Sequence, residues 1–172
     1  MNMTEITFSR DALLADIGNA AYVAADVEEG STESHRLHQT FDICQEDNIE
    51  RIDRLLSLAY SEARLRLLPV IAKGSGHRRR LSDVEAEKRD RRLRLCLPEN
   101  GKEIRAAGIR DAVHEFLIAR VVGWWLSVTL PASAGAWKER GDRLGESLEA
   151  IAAEASITRA GTTVCRRACS PF

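Results

Sequence analysis

The chain has 172 residues, 44% of them hydrophobic and 30% charged, with a formal net charge of −1. This is ordinary composition for one globular domain, and the missing basic excess argues against a dedicated nonspecific nucleic-acid binder. No apolar run reaches the ~18 residues of a membrane span, and four scattered cysteines do not make a secreted disulfide framework.

The N-terminus, MNMTEITFSRDALLADIG, shows no signal-peptide pattern. Ser9 can cap a first helix running to about Val27, with Leu13, Ile17, Ala20, Ala21 and Ala24 facing inward. Residues 28–46 are polar and rich in turn formers, and read as a long connection. Asp47 followed three residues later by Glu50 resembles a capping box. The helix after it turns Ile49, Ile52, Leu55, Leu56, Ala59, Tyr60, Ala63 and Leu67 inward and should end before Pro69.

Lys73-Gly74-Ser75-Gly76 marks a break, and a strongly charged insert follows. Leu93, Leu95 and Leu97 alternate with Arg92, Arg94 and Cys96, the period of a short strand. Its partner is residues 77–82, the Ile6–Phe8 segment, or another subunit. Pro98, Asn100 and Gly101 then form a turn.

Residues 109–155 predict two amphipathic helices folded back on each other. Ile109, Val113, Phe116, Leu117, Val121, Trp124 and Val128 recur at three- and four-residue steps, so they share one helix face. Arg120 intrudes near this stripe and can snorkel, stem buried and head in water. Pro131 stops the first helix near Leu130, and Ser133 is a candidate cap for the second. Trp137, Gly141, Leu144, Leu148, Ile151, Ala152 and Ala155 form the second stripe. Gly141 and Gly145 lower helix propensity and suggest close approach by the partner backbone. So short a connection favours an antiparallel hairpin, which should pack on the helix near 48–68. The tail from Ile157 lacks periodicity.

The expected fold is mainly α: a small helical bundle with a C-terminal antiparallel helical hairpin and at most one short strand or hairpin near 77–97. Residues 1–156 form a single helical domain with a charged insert at 73–101, and 157–172 a flexible C-terminal tail.

No motif for chemistry stands up. His35, His38 and Cys44 lack a paired fourth ligand, and Cys165 and Cys169 are far away in sequence, so no metal site is expected. His114-Glu115 lacks the second histidine of a zincin helix, and Gly74-Ser75-Gly76 lacks the lysine end of a phosphate loop. No catalytic residue and no cofactor is assigned, and an enzyme ranks third among the readings.

Charge is distributed unevenly. From Asp26 to Asp53 nine acidic residues face only Arg36 and Arg51, a net of −7. From His77 to Arg94 eight Lys/Arg stand against four Asp/Glu, a net of +4. The plain reading is two solvated faces. The sharper one has the basic segment, with Arg78, Arg79 and Arg80, meeting the acidic segment of the next subunit or nucleic-acid phosphates. Trp124 and Trp125 point about 100° apart on one helix. One can fill the core while the other lies at its edge, as tryptophans at interfaces do, and the equal alternative is a core-only role for both. Arg78, Arg79, Arg80, Trp124 and Trp125 are therefore the candidate interface residues.

The order of segments IERIDRLLSLAYSEARLRLLP, a basic insert, RLRLCLP, and HEFLIARVVGWWLSVTLPASAGAWKERGDRLGESLEAI resembles the small helical neck proteins of tailed bacteriophages: head–tail connector, adaptor or head-completion proteins. The resemblance covers about residues 40–155 and is one of pattern, without a signature motif. It implies a structural virion or prophage protein that forms a homo-oligomeric ring and contacts other neck or tail proteins, found in the bacterial cytoplasm during assembly and then in the virion. It implies no catalytic residues and no membrane contact. The alternative is a helical nucleic-acid-associated or regulatory protein using residues 77–94.

Overall fold

The computed structural model of the chain describes residues 3–26, 42–72 and 90–168. Residues 28–41 of the polar connection read at 28–46, and the greater part of the charged insert, lie outside the described residues, and with them His35, His38, Arg78, Arg79 and Arg80; residues 42–46 form a 3₁₀ turn and the start of the next helix. Among the described residues there are four helices and two strands: β1 (Met3–Phe8), α1 (Arg10–Asp26), α2 (Glu46–Arg66), β2 (Arg91–Cys96), α3 (Lys102–Thr129) and α4 (Pro131–Ala168). Short 3₁₀ turns precede and follow α2 at Asp42–Cys44 and Leu68–Val70. The mainly helical fold with a C-terminal hairpin and a small sheet is present.

The strand expected in the alternating leucines is β2, and its partner is the N-terminal segment. β1 and β2 run antiparallel, with Ile6 opposite Leu93 and Glu5 opposite Arg94. Period-two patterning puts Ile6, Phe8, Leu93 and Leu95 on the buried face. Glu5 on the outer face accepts a hydrogen bond from Arg94 Nε at 2.8 Å. Ile71 bridges to Leu95 on the other edge of β2, and the Ala72 amide donates to the Arg94 carbonyl at 2.9 Å. The chain leaving α2 is thereby anchored to the sheet.

Ser9 does cap α1: its Oγ accepts from the Ala12 amide at 3.5 Å and its carbonyl from Leu13 at 3.1 Å. The capping box at Asp47 does not form. The N-cap of α2 is Gln45, without a side-chain cap bond, so Glu46 and Asp47 lie inside the first turn. There they act on the positive end of the helix dipole rather than on a single amide. α3 starts seven residues earlier than the apolar stripe suggested, because Gly101 takes φ +70°, a left-handed conformation open to glycine. The Gly101 carbonyl then accepts from Arg105 N at 3.0 Å.

α3 and α4 form the antiparallel hairpin, joined only by Leu130. Ser133 is not the cap: it lies inside α4, and its amide donates to the Leu130 carbonyl at 3.1 Å. The helices approach closely near the turn, where a Cβ on Gly123 would stand 3.5 Å from the Lys138 nitrogen and from Trp137 Cβ. α4 continues past residue 157, where periodicity fails, as far as Ala168.

The core sits around α3. Residues Phe116–Ala119 are buried in succession, as are Val121–Gly123 and Trp125–Leu126. α1, α2 and α4 all pack against this helix, so its apolar surface wraps round it rather than forming one stripe. Val128, placed in that stripe by spacing, is exposed because it lies beyond the packed region at the hairpin turn.

Candidate functional site: ion-paired interior and exposed helix faces

Two polar clusters brace the bundle. At the start of α1, Arg10 makes a two-pronged pair with Asp53 of α2, Nε to Oδ1 at 2.9 Å and Nη2 to Oδ2 at 2.7 Å. Asp53 is buried, and its hydrogen bond is the main reason the Arg10 pKa is raised, against the opposing effect of burial. Arg91 of β2, also buried, donates to the Asp53 carbonyl at 3.4 Å and to Ser57 Oγ at 3.2 Å. The Tyr60 hydroxyl donates to the Arg92 carbonyl at 2.6 Å, and burial pushes its pKa above the usual tyrosine value. These bonds tie α1, α2 and β2 together.

The second cluster lies between α2, α3 and α4. Arg120 of α3 pairs with Glu62 at 2.6 Å and with Asp142 at 2.8 Å. Arg66 of α2 pairs with Glu62 at 2.9 Å and with Glu149 at 2.6 Å. Both guanidinium groups lie over the Phe116 ring, at 5.4 Å for Arg120 and 5.8 Å for Arg66. Burial alone would lower the Arg66 pKa, but Glu62 and then Glu149 more than offset this and raise it.

Gly141 and Gly145 make room for this cluster. A Cβ at 141 would stand 3.2 Å from Arg120 Cδ, and one at 145 would stand 2.6 Å from Arg66 Cζ. The close approach expected at these glycines is therefore made by arginine side chains, not by a partner backbone. Arg120, expected to snorkel into water, instead reaches across to acids on α2 and α4.

An open cleft of about 290 Å³ lies between α1, α3 and α4, lined by Asp16, Ala20, Glu115, Ile118, Trp137 and Arg140. Arg140 pairs with Glu115 and lies 5.4 Å over the Trp137 ring. His114 Nε2 is 2.8 Å from Asp16 Oδ2. The charged groups of the cleft are thus occupied with one another, and no hydroxyl, thiol or amine side chain lines it. Among the described residues, no three His, Cys, Asp or Glu side chains gather as a metal set. Cys44 and Cys96 are free thiols; Cys44 Sγ donates to the Leu14 carbonyl at 3.2 Å, and burial raises its pKa.

The adjacent tryptophans divide as their geometry requires. Trp125 is buried, with the Arg51 guanidinium 5.4 Å over its ring, and Trp124 is half-buried. Trp125 Nε1 is buried with no hydrogen-bond partner among the described residues. The large exposed apolar side chains lie elsewhere and are spread over the described elements: Met3 on β1, Tyr22 and Val23 on α1, Leu58, Leu65 and Leu68 on α2 and the turn after it, Ile104 and Val128 on α3, and Ile157 on α4. Sequence reasoning missed these because it looked for the inward stripe of each helix. The signal was present in the second set of apolar positions, Leu58 and Leu65, seven residues apart on the opposite face of α2.

No described helix is long and apolar enough to cross a membrane. Comparison of the chain with family models, with curated proteins and with solved structures finds no match.

Proposed function

We propose that this chain is a structural assembly protein, joining copies of itself and neighbouring proteins, of the phage head–tail connector kind that its sequence pattern resembles. The observation that supports this reading is the placement of exposed apolar side chains on several elements, with neighbouring pairs or triplets at Tyr22 and Val23 on α1 and at Leu58, Leu65 and Leu68 on α2 and its turn. Large apolar side chains grouped on an otherwise charged surface are a mark of association. Two unlike sticky faces on one molecule are what a head-to-tail contact needs, and such a contact repeats until it closes into a ring or runs on as a filament.

The interior supports the same reading. The ion pairs around Asp53 and Phe116 link helices to one another, which makes a rigid block suited to presenting fixed surfaces. On this reading the protein collects in the bacterial cytoplasm during assembly and ends in the virion. Gene position and electron microscopy test it together. The expected result is a gene beside portal, capsid and tail genes and closed rings in micrographs of concentrated protein. A gene among unrelated neighbours, with a protein that stays monomeric alone and with phage neck components, would overturn it.

A further inference from the structure

The N-terminal arm, residues 3–26, is held by chain that comes after residue 41. β1 pairs along its whole length with β2, from Met3 opposite Cys96 to Phe8 opposite Arg91. Ile6, Phe8, Leu13, Leu14, Ile17 and Ala21 are buried in the common core. Asp90 Oδ1 accepts from the Arg10 amide at 3.0 Å, an acid eighty residues away closing the start of α1. The Arg10–Asp53 pair, the Leu14 carbonyl with Cys44 and Asp16 with His114 complete the seat. Gly18 fits it closely: a Cβ there would stand 3.2 Å from Cys44 Sγ. A seat without an arm would strand Asp53 and bare one edge of β2, because Ile71 bridges only the other edge.

Between arm and seat run residues 27–41, fifteen in all. Fully extended they would span about 50 Å, against about 40 Å for the width of a globule of this chain length. Val27, Leu37 and Phe41 are their only large apolar residues. The length of this connection lets an arm reach its own seat or that of a neighbouring copy. Resting on the self-assembly reading above, we propose that the arm is exchanged on assembly: β1 and α1 of one copy occupy the seat of the next, with β1 on that copy's β2 and Arg10 on its Asp53. Self-assembly needs an interface, and the exposed apolar side chains are spread over several elements rather than gathered in one face. The seat is the larger and better-defined surface, with six buried apolar side chains and an ion pair to a buried acid.

The bonds within the seat are the same whichever copy supplies the arm. Exchange therefore changes the free energy little, and modest contacts between copies, of the kind the exposed apolar side chains offer, decide it. A linked arm faces its own seat at an effective concentration of about millimolar, so the closed monomer holds in dilute solution. On exchange each copy gives one arm and receives another, a contact between unlike surfaces that repeats until a ring closes. Release of an arm opens a six-residue strand pair and separates Arg10 from Asp53, so exchange is slow and an assembled ring outlasts dilution.

The strand register allows a direct test. Arg94 and Arg92 turn their carbonyls away from β1, to the Ala72 amide and the Tyr60 hydroxyl. Cys96 shares their parity, so it faces Met3 across a pair that is not hydrogen-bonded, where Cα atoms lie about 4.5 Å apart, within disulfide reach. Met3→Cys is made in the full chain together with Cys165→Ser, Cys169→Ser and Cys44→Ser, the last keeping a donor for the Leu14 carbonyl, and circular dichroism checks the helices. Native mass spectrometry reports assembly, and non-reducing denaturing gels follow oxidation in a glutathione buffer. In dilute monomer the bond should join Cys96 to position 3 of the same chain. Above the assembly midpoint the greater part of the chain should run as covalent multimers that reduction dissolves. A chain carrying Met3→Cys and Cys96→Ser, mixed with one that keeps Cys96 alone, should give a covalent heterodimer only after co-assembly. Oligomers whose disulfides all lie within single chains overturn the exchange and leave the self-assembly reading standing. A monomer in which no bond forms removes the register and overturns the exchange as well. A chain monomeric at every concentration overturns both the exchange and the reading beneath it.

Discussion

Gly145→Ala sets two known effects against each other. Replacing glycine with alanine inside a helix is favourable by about 1 kcal/mol. At Gly145, however, the new Cβ would stand 2.6 Å from Arg66 Cζ and 2.8 Å from its Nε and Nη1, so the guanidinium must move. It would leave Glu149, a part-exposed pair at 2.6 Å worth roughly 0–1 kcal/mol. It would also leave the buried Phe116 face, 5.8 Å away, worth about 1–2 kcal/mol. The losses exceed the gain, so Gly145→Ala should be neutral to destabilising by about 2 kcal/mol. Gly135, in the same helix, is exposed with nothing within 4 Å of its Cβ position, and Gly135→Ala should stabilise by about 1 kcal/mol. Urea denaturation at unchanged slope reads both. In an Arg66→Ala background, Gly145→Ala should recover its helix gain of about 1 kcal/mol. Equal stabilisation by the two alanines in the wild-type background would refute the packing of Arg66 on α4.

Leu117→Ala, at a fully buried site, should cost about 2–5 kcal/mol. Trp125→Ala should cost more than Trp124→Ala, and Trp125→Phe much less than either because the buried indole nitrogen has no partner among the described residues to lose; the same denaturation curves decide. Asp53→Ala should destabilise by about 3 kcal/mol, because it leaves Arg10 part-buried without its counter-charge, and adding Arg10→Met should recover much of the loss. Cys44, its pKa pushed up by burial, stays protonated at neutral pH and should alkylate slowly there, with the rate still climbing above the ordinary thiol range; peptide-level mass spectrometry would show it, and fast labelling at neutral pH in folded protein would contradict it.

The hairpin was legible because Pro131 and three- and four-residue spacing are local signals. β2 was legible from Leu93, Leu95 and Leu97, but its partner was not: pairing Met3–Phe8 with Arg91–Cys96 is a contact across more than eighty residues, and no local pattern encodes that choice. The two arginines over Phe116 were hidden for a related reason. Arg66 and Arg120 look like surface residues in their own helices and become interior only when Glu62, Asp142 and Glu149 meet them. Gly141 and Gly145 did signal a tight place, but not which atoms fill it. The capping box at Asp47 failed because an acid in the first helical turn fits either role, and Gln45 starts the helix two residues earlier. The exposed leucines of α2 were readable as a second periodic face, one that only becomes meaningful once the first face is known to be buried.

The central claim is that this protein works by joining copies through unlike faces. Mass photometry of purified wild-type protein across a concentration series measures that most directly. The account predicts monomers at low concentration giving way to one discrete closed oligomer, with the transition lost in Leu65→Glu. A single monomer peak throughout, or an open-ended distribution unchanged by Leu65→Glu, would contradict it.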